Sequence, residues 1–262
     1  MRTKQPRLLS EERRREILRL LEEQGRVTVN GLTDKFHISA VTIRSDLEEL
    51  GAKGLLVRSH GGAILPLSPQ QEYPLQLKKT LHHLEKVRIG RAAAQLIQPR
   101  QTVIIDGGTT TMEAVRALKR NSPEALTVIT HALNIALELA DSPNISLIMI
   151  GGMFRHVSRS FAGPPAERMM SDLHADHFFL GVDGLDPQTG PSTPGMLEAQ
   201  LNSQMLRAAR EVSVLADATK FGQRSLSLMG DMRSIRRVIT DSRVNQEIVC
   251  QLRQMGIEVL VV

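Results

Sequence analysis

The chain has 262 residues, 41% hydrophobic and 23% charged, a balance of folded domains rather than disorder. Its formal net charge is +5, and its one cysteine excludes an internal disulfide and any multi-cysteine metal site. Aromatics are 3% with no Trp, so the core is aliphatic and nucleic-acid binding through stacked aromatics is disfavoured.

The charge is uneven. Residues 1–65 hold 12 Lys or Arg against 9 Asp or Glu, a balance of +3. Arg2, Lys4, Arg7, Arg13, Arg14 and Arg15 crowd the start, a pattern that suits either a phosphate backbone or a solvated helix face. Ser10 reads as a helix cap, with Glu11 and Glu12 in the first turn. Ile17, Leu18, Leu20 and Leu21 follow at helical spacing, and Gly25 ends the helix. Val27-Thr28-Val29 is a short β-like piece. A second helix over 30–36 buries Leu32 and Phe36, and His37-Ile38 turns the chain. Ser39 caps a third helix over 40–50 that buries Val41, Ile43, Leu47 and Leu50. Residues 55–64 then read as a small hairpin with Gly61 and Gly62 at its return.

Helix, helix, turn, helix and two short strands make a winged helix-turn-helix. Its third helix suits the major groove, where base edges carry a distinct donor and acceptor code. Ser39, Ala40, Thr42, Arg44 and Ser45 occupy its first turns, and Arg58 and His60 lie on the wing. Arg44 either forks onto a guanine or phosphate or pairs with Glu48 four residues on. Asp46 reads as structural, because an acid near DNA is repulsive unless it orients a basic neighbour.

Ser39-x-x-Thr42-Ile43-Arg44-x-Asp46-Leu47, followed by Gly54-x-x-x-Arg58-x-His60-Gly61-Gly62-Ala63, resembles the DeoR-type bacterial repressors. Gly51 departs from that pattern, where Glu is usual, and puts the end of the third helix in doubt.

Residues 65–77, with three prolines and no periodicity, read as a linker. The organisation expected is a DNA-binding domain over 1–64, a linker over 65–77 and a sensor domain over 78–262. The sensor opens with a helix over 77–97. Short aliphatic strands follow at 102–105, 126–129, 146–150, 177–182, 212–216, 238–241 and 258–261, with helices at 109–118 and 132–140 between the earlier ones. This is α/β: a mainly parallel sheet covered on both faces. Cys250, on an apolar flank, reads as a small buried hydrophobe. Met169-Met170 and residues 259–262 read as either oligomer contacts or core.

Ligands of such sheets sit beyond the carboxyl ends of the strands. Polar groups cluster there. Asp106-Gly107-Gly108-Thr109-Thr110-Thr111 is a strand-to-helix turn whose amides and hydroxyls suit an anion, or else a plain tight turn. Thr130-His131-Ala132-Leu133-Asn134, Gly151-Gly152-Met153-Phe154-Arg155, Gly181-Val182-Asp183-Gly184 and Asp217-Ala218-Thr219-Lys220-Phe221 also follow strands.

This order resembles the effector domain of the same family, which is similar to ribose-5-phosphate isomerase and glucosamine-6-phosphate deaminase. The resemblance implies a phosphosugar site. Asp106 and Asp183 would bond sugar hydroxyls. Gly108, Thr109, Thr110 and Lys220 would hold phosphate. Glu198 and Arg155 would line the ring, with Gly107 and Asn134 in the same site. Read alone, Asp183 also fits a turn cap, and Lys220, Arg155 and Glu198 fit surface charges. Gly163, Ser192-Thr193 and Glu198-Ala199 look most like the amino-sugar branch (AgaR-type, N-acetylgalactosamine 6-phosphate). Pro194-Gly195-Met196-Leu197, Gly107 and Ala218 depart from the family and leave the sugar open.

The expected function is a repressor of a sugar-utilisation operon, released from double-stranded operator DNA by a phosphorylated sugar or amino sugar. No cofactor and no metal are expected, and a homo-oligomer, dimer or tetramer, is. The alternatives are an isomerase- or deaminase-like enzyme carrying a DNA-binding arm, and an architectural DNA binder. The charged opening segment and the absence of a long apolar run lead to a cytoplasmic protein with no membrane partner.

Overall fold

The computed structural model describes residues 9–53, 55–65, 68–120 and 123–262. Arg2, Lys4, Arg7 and Gly54 of the motifs above lie outside these. The chain divides into two compact units, Met1–Ser68 and Pro69–Val262.

The first unit runs α1 (Ser10–Gln24), β1 (Arg26–Thr28), α2 (Val29–Phe36), α3 (Ala40–Ala52), β2 (Val57–Ser59) and β3 (Gly62–Ile64). Leu9, not Ser10, caps α1, and Glu12 reaches back to accept the Leu9 N–H at 3.0 Å. Gly25 ends α1 at φ 69°, left-handed as a helix C-terminus favours. Ser39 caps α3 by accepting the Thr42 N–H at 3.2 Å. Gly51 does not shorten α3, which runs on to Ala52.

The core is Ile17, Leu21, Leu32, Ile43, Leu47, Leu50 and Leu56. Val41, expected in it, is 73% exposed. Ile43, Leu47 and Leu50 set the inward face of α3, and Val41 falls on the other side.

The hairpin strands are joined by β1 into a sheet of order β1-β3-β2. Gly62 makes that pairing possible, since a Cβ there would lie 2.0 Å from the Val27 carbonyl oxygen.

Asp46, 2% exposed, ties α3 to α1. It accepts from Arg13 Nε at 2.5 Å and Arg14 Nε at 2.9 Å, and Arg14 also pairs with Glu49. Two of the arginines that suited a phosphate backbone are thus internal struts.

The second unit runs α4 (Leu75–Thr80), α5 (His83–Ala94), β4 (Thr102–Ile105), α6 (Thr109–Arg120), β5 (Leu126–Thr130), α7 (Leu133–Leu139), β6 (Ile145–Met149), β7 (Met153–Arg155), β8 (Ser160–Ala162), α8 (Pro164–Met170), β9 (Ala175–Gly181), β10 (Gly184–Asp186), β11 (Gly190–Thr193), α9 (Met196–Ala208), β12 (Ala209–Leu215), β13 (Ser227–Leu228), β14 (Arg237–Thr240), α10 (Gln246–Gln254) and β15 (Glu258–Val261). Seven strands form one parallel sheet of order β15-β14-β12-β9-β4-β5-β6. Apolar cores cover both faces. One gathers Phe178, Leu180, Leu201, Met205 and Leu252, the other Ile89, Val103, Ile105, Val115 and Phe179. Alternate residues of β9 therefore feed opposite cores. Strand order reverses between β4 and β9, which makes their carboxyl ends the switch point of the sheet.

Three expectations need correction. The helix over 77–97 is two helices, broken where Leu81 is extended and His82 is left-handed at φ 50°. The Lys86 ammonium donates to the Lys78 carbonyl at 2.7 Å, the acceptor that a continuous helix gives to the amide of residue 82. Cys250 is exposed, because α10 turns Val249 and Leu252 inward. Residues 69–77 pack as part of the second unit: Gln70 Nε2 donates to the Arg224 carbonyl at 2.9 Å, and the Leu75 N–H to that of Val157 at 3.1 Å. Met170 is core and Met169 is 46% exposed.

Asp46→Ala is expected to destabilise the first unit by about 3–5 kcal/mol, because it takes from a buried guanidinium its carboxylate. Urea unfolding followed by a probe in that unit reads this, and a transition coincident with wild type would refute the role of the pairs.

Candidate functional site

Two polar surfaces emerge, one on each unit. On α3, Arg44, Ser45 and Glu48 are exposed on the same side as Val41, and Thr42 is partly exposed. No ion pair joins Arg44 to Glu48 among the described residues, so the guanidinium stays on the solvent face. Ser39 and Thr42 are engaged with each other, their hydroxyls 2.9 Å apart. Ala40 packs partly against the core. On the wing, Arg58 Nη1 donates to the Arg44 carbonyl at 3.0 Å and fixes wing against helix, while His60 is exposed at the turn.

The second surface lies at the switch point. Asp106 follows β4 and is 1% exposed. Its N–H donates to the Phe179 carbonyl at 3.1 Å, and its Oδ2 accepts the Gly181 N–H at 3.0 Å, so one residue clasps both strand ends. Burial, with Glu198 adding to it, holds this carboxyl well above the usual range.

His131 follows β5, fully buried, with Nε2 3.6 Å from Asp106 Oδ1. Burial, helped by Arg155, pulls its pKa to about 4, so it is neutral near pH 7. Asp106 Oδ1, both His131 ring nitrogens, Thr111 Oγ1 and Asn134 Oδ1 are buried and find no hydrogen-bond partner among the described residues. Each such atom costs about 1–3 kcal/mol unless something pairs with it. Thr109 opens α6 here, followed by Thr110, 8% exposed.

Beside these lies a cluster of paired charges. Asp183, just past β9, accepts from Lys78 Nζ at 2.6 Å and from the Thr193 hydroxyl at 3.3 Å, with Lys220 Nζ 3.9 Å away. Burial pushes Asp183 up, but the two ammonium groups outweigh it and hold the carboxyl below the usual range. Arg155 ends β7 and forks between Glu198 on α9 and Glu72, at 2.5 Å each. Its guanidinium lies against Gly195, where a Cβ would come within 2.7 Å of it. Burial pushes Glu198 up against the pull of Arg155. Lys86 is buried, which brings its pKa down to about 8 against the attraction of Asp217. Asp217 follows β12 and accepts from the N–H of Thr219 at 3.1 Å, shaping the turn that carries Lys220.

The structure thus brings Asp106, Arg155, Asp183, Glu198 and Lys220 to one end of the sheet, with the Gly107-Gly108 turn, Thr109, Thr110 and Asn134 at the ends of β4 and β5. Arg155 and Glu198 are not free surface charges, because they pair with each other. Asp183 caps no turn and Lys220 is only 22% exposed. The sequence reading missed Glu72, Lys78 and Lys86, and it quoted Thr111 and His131 in the polar segments after β4 and β5 without giving either a role. Lys86 left a signal: it stands three and seven residues before buried Ile89 and Ala93, on the inward face of α5.

Comparison with known proteins covers both surfaces. A model of the DeoR-like helix-turn-helix domain matches residues 13–68, and one of the DeoR C terminal sensor domain matches residues 81–242. The chain is 37% identical over 253 residues to an Escherichia coli O157:H7 protein named for repression of an aga operon, covering 96% of this chain and 93% of that one. It is 32% identical over 256 residues to the transcriptional repressor GlcR of Bacillus subtilis strain 168, covering 97% of each. Identity to the glycerol-3-phosphate regulon repressor of Escherichia coli K12 is 31% over 226 residues, covering 86% of this chain and 88% of that one. Ribose 5 phosphate isomerase A from Neisseria gonorrhoeae shows a distant, partial likeness, with a TM-score of 0.40 and 14% identity over 53% of each chain. With both domains matched and nearly the whole length aligned to repressors, the chain belongs to the DeoR family of DNA-binding transcriptional regulators.

Proposed function

We propose that the protein represses a sugar-utilisation operon and is released from its operator by a phosphorylated sugar, with an amino-sugar phosphate such as N-acetylgalactosamine 6-phosphate the first candidate. One observation carries this: cationic groups and unpartnered buried polar atoms meet at the switch point of a parallel sheet. Lys220, Gly108, Thr109 and Thr110 take the phosphate, with the amides opening α6. Asp106, Gly107, Asn134, Asp183, Glu198 and Arg155 surround the sugar. Hydroxyls placed there would pair the orphaned atoms of Asp106, His131 and Asn134. A ligand that fits only one conformation shifts the protein toward it, and operator affinity falls if that conformation binds DNA less well.

On DNA, α3 reads the major groove through Thr42, Arg44 and Ser45, while Arg58 and His60 meet the adjacent backbone. Ser39 and Ala40 position the helix by capping and packing. Repeated half-sites call for a homo-oligomer, a dimer or tetramer. The protein works in the cytoplasm. Among the described residues, no helix is long and apolar enough to cross a membrane.

The sensor binds without turnover on this reading. Aldose–ketose isomerisation needs a base tuned near the working pH. Asp183 is held below the usual carboxylate range by two lysines and makes a weak base. The relatives are named regulators, which points the same way.

A thermal-shift screen against hexose, hexosamine and hexitol phosphates, with operator gel shifts for each hit, tests the proposal. Saturable stabilisation and operator release are expected, and neither for any sugar phosphate would sink it. Arg44→Ala is expected to weaken operator binding by roughly 1–3 kcal/mol if it reads a base, and unchanged affinity would reject that role. Lys220→Ala is expected to abolish induction while operator binding persists, and wild-type phosphosugar affinity would remove Lys220 from the site.

Lys86 adds a pH dependence. Its pKa of about 8 means that much of it loses its charge as pH rises through that value. A bound phosphate favours the ammonium, so binding near that pH takes up a proton, and affinity falls from about pH 7 to about pH 9. Calorimetry in buffers of different ionisation enthalpy measures the uptake; none, with flat affinity, would place Lys86 outside the site.

A further inference from the structure

Residues 69–80 form a strap laid across the charged cluster. Neutral contacts hold it: the Ser225 hydroxyl and the Pro69 carbonyl, Gln70 and the Arg224 carbonyl, and the Leu75 N–H and the Val157 carbonyl. Among the described residues, two of its side chains form ion pairs with the cluster itself. Glu72 sits on Arg155 at 2.5 Å, and Lys78 on Asp183 at 2.6 Å.

Each cation of the cluster already has a carboxylate. Arg155 has Glu72 and Glu198, Lys78 and Lys220 share Asp183, and Lys86 is drawn to Asp217. A sugar phosphate brings two negative charges and no cation, so a carboxylate has to give way. Asp183 is bonded to Thr193, Asp217 caps the turn of Lys220, and Glu198 is built into α9. Glu72 belongs to no helix or strand. Its side chain is the most exposed of those on Arg155 and Asp183, at 24% against 17% for Asp183 and 12% for Glu198. Its other oxygen, Oε1, is buried and finds no hydrogen-bond partner among the described residues. It is the carboxylate that water takes back at least cost.

We propose that Glu72 is a built-in competitor of the effector: a ligand whose phosphate sits on Lys220 and whose sugar lies against Arg155 adds negative charge to the cluster, displaces Glu72 from Arg155 and loosens the strap. The strap begins at Pro69, directly after the last residue of the first unit. Its release frees the tether of the DNA-binding unit and converts site occupancy into a change at the operator. This rests on the reading of the cluster as a phosphosugar site and adds the means of regulation.

The test uses the full chain, wild type and Glu72→Gln, with N-acetylgalactosamine 6-phosphate, inorganic phosphate and neutral N-acetylgalactosamine as probes. Calorimetry should show Glu72→Gln binding an anionic probe roughly threefold to tenfold more tightly, because its competitor has lost its charge. Hydrogen exchange on the wild type should show amides of residues 70–79 exchanging faster with the anionic probe and unchanged with the neutral sugar. Equal or weaker binding by Glu72→Gln overturns the proposal. So does slower exchange in the strap, which would make it a lid that closes over the ligand, and so does an equal response to the neutral sugar. Saturable binding of neither anionic probe to the wild type overturns the reading of the cluster as an anion site, a failure distinct from that of the strap.

Discussion

Charge can be buried at the mouth of an apolar sheet only if it is paired or neutralised, and that constraint organises the sensor unit. The carboxyl ends of β4 and β9 part at the switch point, and Asp106 clasps both through its N–H and its carboxylate. Burial raises the pKa of that carboxyl and so favours its neutral form, which lessens the charge held at the junction. Around it, carboxylates from the strap, the loop after β9, α9 and the loop after β12 meet cations from α4, α5, β7 and the turn after β12. The cluster is therefore paired in charge but unsatisfied in hydrogen bonds among the described residues, so a ligand gains by supplying hydrogen-bond partners and an anionic one has to displace a carboxylate.

The first unit meets the same constraint differently. Asp46 is buried on α3, the helix proposed to face DNA, where a bare acid would repel phosphate. Arg13 and Arg14 neutralise it and in doing so bolt α3 to α1. Arg44 then reaches outward with no acidic partner among the described residues, and Arg58 locks the wing to its carbonyl. Part of the basic excess of this unit is therefore structural.

Much of this was legible in the sequence, where the signal was local. Strands β4, β5, β12 and β15 announced themselves as aliphatic runs, and the polar residues after β4, β5 and β12 marked the candidate site. Caps such as Ser39 and Gly25 follow from one residue and its neighbours. The misreadings have a common cause. Val41 looked like core because apolar character alone does not say which face of α3 turns inward. The break after Thr80 depends on Lys86 reaching back to the Lys78 carbonyl, a contact that helical periodicity does not encode. The pairing of β1 with β3 joins residues more than 30 positions apart. Glu72 left no trace, since a proline-rich stretch reads as linker until its partner, Arg155, arrives from 83 residues away.

The central claim is that the charged cluster at the switch point holds the effector. A crystal structure with N-acetylgalactosamine 6-phosphate, or with whichever sugar phosphate binds best, tests it most directly. The account predicts the phosphate within hydrogen-bond reach of Lys220 and the first amides of α6, and the sugar against Asp106 and Asp183. A sugar phosphate ordered elsewhere on the protein, with this cluster unchanged, would contradict it.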